Sequence, residues 1–120
     1  MKTLALVDDN QMMREFIGSY LSENYKVLSY ENGNQALADL RKNKNPDLLL
    51  VDYEMPGING LEFLKTMKSS GYLNRIPVIF LSGNGESALR IACYHEGAED
   101  FISKPFNPVE LHLKIEKALN

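Results

Sequence analysis

Short apolar runs alternate five times with stretches of helical periodicity, and this alternation constrains the fold of the 120 residues more than any other feature. The runs that predict strands are Thr3 to Val7, Lys26 to Tyr30, Leu48 to Val51, Pro77 to Leu81 and Asp100 to Ile102. Strands separated by helices are typical of a parallel sheet, and the half-polar second run suits a sheet edge. We therefore predict one α/β domain over residues 1–120, a doubly wound five-stranded parallel sheet with helices on both faces.

The stretches between the strands carry apolar side chains at helical spacing. In the first predicted helix they form a stripe that we expect to lie in the core, made of Met13, Phe16, Ile17, Tyr20 and Leu21. Inward-facing residues are Ala36, Leu37 and Leu40 in the second helix and Leu61, Leu64 and Met67 in the third. The fourth helix is predicted over Ala88 to His95 with Gly97 as its terminator. The fifth begins with Pro108 after the capping residue Asn107, and it ends at about Leu119.

Composition excludes several classes of function. A net charge of -3, with scattered Lys and Arg, argues against direct binding of nucleic acid. The only cysteine, Cys93, cannot form an internal disulfide, which fits a reducing compartment. The run from Leu4 to Val7 is too short for a signal-peptide core, and no run approaches the roughly 20 apolar residues of a membrane span. We therefore expect a cytoplasmic domain without membrane contact and without a DNA-binding output domain.

Polar side chains follow the predicted strands at their carboxyl ends. Asp8 and Asp9 follow the first strand, Asp52 ends the third, Ser82 ends the fourth and Lys104 follows the fifth. Ligand chemistry in open parallel sheets collects at this edge, near the point where the strand order reverses. The sequence therefore predicts that five separate side chains converge on one site.

The convergence of three carboxylates implies a shared cation, because like charges held together repel one another. Oxygen ligands favour magnesium or manganese, and magnesium commonly keeps phosphate oxygens in its shell. Asp52 is the candidate nucleophile and would form an acyl phosphate, with Lys104 and Ser82 contacting the phosphoryl oxygens. Each residue alone also has a plain interpretation: Asp8 and Asp9 as helix caps, Ser82 as a turn residue and Lys104 as a solvated surface lysine.

These residues, together with the segment from Asp52 to Gly57 and the spacing of Ser82, Phe101 and Lys104, resemble a known family over the whole chain. The chain is similar to the receiver domains of two-component response regulators, including the single-domain chemotaxis type. The resemblance implies a flavodoxin-like strand order, 2-1-3-4-5. It also implies that Glu54 joins the metal shell through its backbone carbonyl and that the peptide bond between Lys104 and Pro105 is cis.

The roles that the resemblance implies cover every residue of the predicted site. Asp8 and Asp9 would be the acidic metal-binding pair, Asp52 the phosphoacceptor, Ser82 the switch hydroxyl, Lys104 the family's invariant lysine and Phe101 its switch aromatic. A sensor histidine kinase or a histidine phosphotransfer protein would donate the phosphoryl group. Such a domain catalyses only its own phosphorylation and dephosphorylation, and it would change the surface of helix 4, strand 5 and helix 5 for a downstream protein. The burial expected of an aromatic residue in the last strand is equally compatible with Phe101 as a plain core residue.

Three other functions are compatible with parts of the sequence. A magnesium-dependent phosphatase of the haloacid dehalogenase type would need a second aspartate two places after Asp8, where Asn10 stands, and a cap domain that does not fit in this length. Dinucleotide binding through the glycine-containing segment 83–88 would follow the fourth strand instead of opening the domain. A receiver-shaped interaction module without phosphoryl transfer is the least economical alternative, since every group that the transfer needs is present.

Overall fold

Five parallel strands form one sheet and five α-helices cover it in the computed structural model, which describes residues 1–42 and 45–120. The strands are β1 (Thr3–Val7), β2 (Lys26–Tyr30), β3 (Leu48–Asp52), β4 (Val78–Ser82) and β5 (Asp100–Ser103). The helices are α1 (Gln11–Leu21), α2 (Gly33–Leu40), α3 (Gly60–Ser69), α4 (Ser87–His95) and α5 (Pro108–Leu119), with a 3₁₀ helix at Tyr72–Arg75. The strand order is β2-β1-β3-β4-β5, so the predicted fold is confirmed.

Each face of the sheet has its own hydrophobic core, because successive strand residues point to opposite faces. On one face, Val51 packs with Phe63 of α3 and Cys93 of α4. On the other face, Leu50 packs with Ile17 of α1 and with side chains of α5. Strands β3 and β4 are buried at every residue, which explains why each is apolar up to the polar residue at its carboxyl end. Strand β2 is partly exposed and lies at the sheet edge, as predicted.

Asparagine side chains cap the N-termini of α1, α2, α3 and α5. The capping residues are Asn10, Asn32, Asn59 and Asn107, and each side chain accepts a hydrogen bond from a backbone amide of the first turn. The predicted cap at Asn107 is thus confirmed. At the other end of α4, Gly97 has a φ of +103°, a conformation that glycine adopts without the strain of a Cβ atom. The predicted terminator of this helix is confirmed as well.

The prediction that the whole apolar stripe of α1 lies in the core is wrong for two of its members. Ile17 and Leu21 are buried, but Phe16 is 53% exposed and Tyr20 is 36% exposed. Five apolar residues in nine span a wider arc than the face that α1 presents to the sheet. The ring of Phe16 lies beside Phe106, with centroids 6.5 Å apart, at the margin of the core.

Smaller differences concern α3 and the strand ends. Leu61 is only partly buried, whereas Phe63, which the helical spacing did not single out, is fully buried. Strand β4 begins at Val78, one residue after the predicted Pro77, which has no amide proton to donate. The 3₁₀ helix was not predicted, and no described helix has the length and apolar character needed to cross a membrane.

Candidate functional site

The register of the sheet brings four of the predicted site residues to one edge. Val7, the last residue of β1, pairs with Val51 of β3, and Asp52 pairs with Leu81 of β4. Ser82 in turn pairs with Ser103, the last residue of β5. Asp8, Asp52, Ser82 and Lys104 therefore leave neighbouring strands at the same level, on β1, β3, β4 and β5.

Three carboxylates at this edge are close enough to share one cation. Asp8, Asp9 and Asp52 each offer an oxygen, and these oxygens all lie within 4.8 Å of one another. Asp8 is fully buried and Asp52 is 5% exposed, whereas Asp9 is exposed. The N-cap of α1 at Asn10 follows directly, so the turn between β1 and α1 fixes the acidic pair.

The second oxygen of Asp8 gives an independent sign of a missing partner. Its Oδ1 accepts a hydrogen bond from the Asn10 amide at 2.9 Å, but Oδ2 is buried and has no hydrogen-bond partner among the described residues. A buried carboxylate oxygen without a partner is costly, and a hard divalent cation removes that cost. The arrangement of the three carboxylates fits Mg²⁺, or the similar Mn²⁺, better than a softer metal.

Asp52 lies between these acids and a single ammonium group. Lys104 Nζ is 3.1 Å from Asp52 Oδ1, and the Glu54 amide donates to the same oxygen at 3.3 Å. Burial raises the pKa of Asp52 to about 6, and the charges of Asp8 and Glu54 add to the rise, whereas the hydrogen bond and charge of Lys104 oppose it. In the metal-free chain, a fraction of this carboxyl group is therefore protonated near neutral pH. A bound cation would lower its pKa and favour the charged form.

Ser82 is fully buried and its hydroxyl is already engaged. Ser82 Oγ donates to Glu54 Oε2 at 2.7 Å, and the Gly83 amide donates to Glu54 Oε1 at 2.8 Å. The family resemblance implied a place for the Glu54 backbone carbonyl in the metal shell, and the contact between its side chain and Ser82 was not predicted. A signal for it exists, because Asp52 and Ser82 end adjacent strands, so a long side chain two residues after Asp52 can reach the end of β4.

Phe101 and the lysine–proline bond complete the predicted set. Phe101 is 5% exposed and belongs to the core of α2, α3 and α4, with its ring centroid 6.5 Å from that of Tyr53. This position agrees with the interpretation of Phe101 as a core residue. Phe101 lies on β5, the strand that pairs with β4, which ends at Ser82. The bond between Lys104 and Pro105 is cis, as predicted.

Comparison with known proteins agrees with this geometry. Residues 4–116 match the family described as the response regulator receiver domain. The chain belongs to this family. It is 38% identical over 119 residues to the phosphate regulon transcriptional regulatory protein PhoB of Pseudomonas aeruginosa, covering 98% of this chain and 52% of that protein. It is 37% identical over 106 residues to the two-component response regulator ORR5 of Oryza sativa, covering 88% of this chain and 79% of that protein.

Among solved structures, the receiver fold is matched closely. The chemotaxis response regulator CheY4 of Vibrio cholerae superposes with a TM-score of 0.91 at 27% identity, covering 99% of each chain. This chain spans only about half the length of PhoB, so the activity of the whole PhoB protein cannot be assigned to this chain from the shared fold. Membership of the receiver family leaves the phosphatase and dinucleotide-binding interpretations without support.

Proposed function

We propose that Asp52 accepts a phosphoryl group from a phosphohistidine of a sensor histidine kinase or a histidine phosphotransfer protein. The P–N bond to the histidine breaks, a P–O bond to an Asp52 carboxylate oxygen forms, and the departing imidazole nitrogen takes a proton. Three observations support this proposal: oxygens of Asp8, Asp9 and Asp52 converge, the buried Asp8 Oδ2 has no hydrogen-bond partner among the described residues, and Lys104 contacts the Asp52 carboxylate. Membership of the receiver family supports the phosphohistidine donor.

The two oxygens of Asp52 are not equivalent. Lys104 and the Glu54 amide both contact Oδ1, and no hydrogen bond of the described residues uses Oδ2. We assign Oδ2 as the attacking atom, because its lone pairs accept no hydrogen bond from the described residues and so are available to attack phosphorus. Phosphoryl transfer depends mainly on positioning and charge neutralisation, and Lys104 supplies one positive charge beside the developing charge of the phosphoryl oxygens.

A divalent cation would supply the second positive charge at this site. Asp8, Asp9 and Asp52 would hold it through carboxylate oxygens, and the Glu54 carbonyl is the proposed fourth protein ligand. A cation held by these residues would neutralise charge on the acids and on the transferred group. The chain's own contribution is to keep Asp8 buried, to orient Asp52 against Lys104 and to hold the β1–α1 turn by the cap at Asn10.

The proposed output is a change in the surface formed by α4, β5 and α5. After transfer, the Ser82 hydroxyl turns to a phosphoryl oxygen and draws the end of β4 with it, next to Phe101 on β5. Exposed apolar side chains on the two flanking helices are the proposed contacts for a downstream protein: Ile91 and Tyr94 on α4, and Val109 and Leu113 on α5. In this proposal the domain acts in the cytoplasm, contacts no nucleic acid or membrane itself, and catalyses no reaction beyond its own phosphorylation and dephosphorylation.

A phosphodonor assay tests the assignment of Asp52. Incubation with acetyl phosphate and Mg²⁺ is expected to add the mass of one phosphoryl group, and chelation of the metal is expected to prevent the addition. An Asp52→Asn variant should gain no mass, whereas the control Asp100→Asn, which removes an acid at the opposite end of β5, should be labelled like the unaltered chain. Equal labelling of the Asp52→Asn variant would overturn the proposal.

A further inference from the structure

The Glu54 side chain engages the hydrogen-bond donors that a phosphoryl group on Asp52 would need. Glu54 is an exposed residue in the loop between β3 and α3, yet its carboxylate contacts the end of β4. One oxygen accepts from Ser82 Oγ at 2.7 Å and the other from the Gly83 amide at 2.8 Å. Both distances are typical of charge-assisted hydrogen bonds. A single carboxylate thus connects the phosphoacceptor loop to the β4–α4 loop.

The Ser82 hydroxyl has one proton and can donate to only one acceptor at a time. Its neighbours in hydrogen-bond range are Glu54 Oε2 at 2.7 Å and the Asn84 carbonyl at 3.2 Å, and it accepts from the Asn84 amide at 3.0 Å. The carboxylate oxygen is the nearer acceptor and carries charge, so the hydroxyl donates its hydrogen bond to Glu54. The hydroxyl can donate to a phosphoryl oxygen only after its hydrogen bond to Glu54 has broken.

We propose that the Glu54 carboxylate is an internal competitor of the phosphoryl group: it holds the Ser82 hydroxyl and the Gly83 amide in the unphosphorylated chain, and phosphorylation of Asp52 displaces it. This inference rests on the proposed function of Asp52. Glu54 is a positioning residue here, acting through Ser82. Repulsion between the phosphoryl charge and the carboxylate favours its release to solvent. Until then the contact biases the switch toward its unphosphorylated form, as any interaction made in only one of two states must.

A double-mutant cycle with the phosphoryl mimic beryllofluoride in the presence of Mg²⁺ tests the competition. Glu54→Ala is expected to tighten beryllofluoride binding by about fivefold, the equivalent of one net hydrogen bond. In a Ser82→Ala background the same change should have a clearly smaller effect, since the hydroxyl that Glu54 holds is gone. A Ser82→Thr background keeps the hydroxyl and should restore the larger effect. An equal factor in all three backgrounds would show that Glu54 acts by charge alone and would overturn the proposal.

Amide exchange at Gly83, measured without metal or beryllofluoride, tests the contact independently of the proposed function. Exchange is expected to quicken about fivefold in Glu54→Ala through loss of the carboxylate acceptor. The control is Glu86→Ala, since no hydrogen bond of the described residues uses the Glu86 side chain, and it should leave exchange unchanged. Unchanged exchange in Glu54→Ala would overturn the proposal. Failure of the unaltered chain to bind beryllofluoride, with Gly83 still protected by Glu54, would instead count against the function proposed for Asp52 and remove the competition with it.

Discussion

Replacing Asp52 with asparagine is expected to stabilise the metal-free protein at pH 8 and to change its stability little at pH 4. Burial, with the nearby charges of Asp8 and Glu54, raises the pKa of Asp52 from 3.8 to about 6, in spite of the opposing contact with Lys104. At about 1.4 kcal/mol for each pKa unit, this rise corresponds to about 3 kcal/mol in the free energy of unfolding. The asparagine side chain has nearly the same shape but does not ionise, so the folded variant avoids the cost of a buried negative charge at pH 8.

The direction with pH follows from the protons bound by each state. Between pH 3.8 and about 6 the folded chain keeps the Asp52 proton that the unfolded chain has released. Stability therefore falls as pH rises through this window, because the folded state binds more protons than the unfolded state. The stabilisation that protonated Asp52 provides is complete below pH 3.8 and is lost above the folded pKa of about 6. The asparagine variant has no such loss at this position.

Urea unfolding followed by circular dichroism, in a chelating buffer at pH 4 and pH 8, measures the effect. The quantity of interest is the difference in unfolding free energy between variant and unaltered chain. It is expected to grow by about 2–2.5 kcal/mol from pH 4 to pH 8, since a small part of the full effect is already present at pH 4. Glu23→Gln removes an exposed carboxylate outside the site and serves as the control. A difference that does not change with pH, or that favours Asp52 at pH 8 without metal, would refute the electrostatic argument.

Further predictions concern backbone packing, the lysine contact and the metal. Gly60→Ala should destabilise the fold by about 1–3 kcal/mol, because its Cβ would lie 2.5 Å from a ring carbon of Tyr53. Gly18→Ala, inside α1 with nothing within 4 Å of the new Cβ, should stabilise it by about 0.5–1 kcal/mol; urea unfolding checks both. Lys104→Met should raise the Asp52 pKa further, measured by carboxyl NMR titration, and slow labelling by acetyl phosphate. Added Mg²⁺ at pH 8 should raise the melting temperature of the unaltered chain more than that of Asp52→Asn.

The sheet could be predicted from the sequence because the pattern of apolar and polar residues in each strand matches how deeply that strand is buried. The run from Leu48 to Val51 is apolar at every position since both faces of β3 are covered, and the half-polar β2 lies at the edge. The convergence of the candidate site residues could be predicted for a related reason. Parallel strands place their carboxyl ends at one edge, so Asp8, Asp52 and Ser82 converge whenever their strands are neighbours.

The features that could not be predicted are the exposure of residues at the edge of a helix's buried face and the contacts made by long side chains. The spacing of Phe16 and Tyr20 is helical, but α1 presents too narrow a face to the sheet to bury them. The contact between Glu54 and Ser82 joins residues 28 positions apart. The adjacency of β3 and β4 brings the Glu54 side chain within reach of Ser82, but its flexible torsions decide whether the contact forms, and the sequence does not specify them. The pKa of Asp52 likewise depends on burial and on the distance to Lys104, which only coordinates supply.

A crystal structure with Mg²⁺ and beryllofluoride bound would show whether Asp52 is the phosphoacceptor of a metal-dependent site. We expect beryllium bonded to Asp52 Oδ2, the cation held by oxygens of Asp8, Asp9 and Asp52, and the Ser82 hydroxyl turned from Glu54 to a fluorine atom. Beryllofluoride bound at another side chain, or a cation bound away from this acidic cluster, would show that Asp52 is not the phosphoacceptor of such a site.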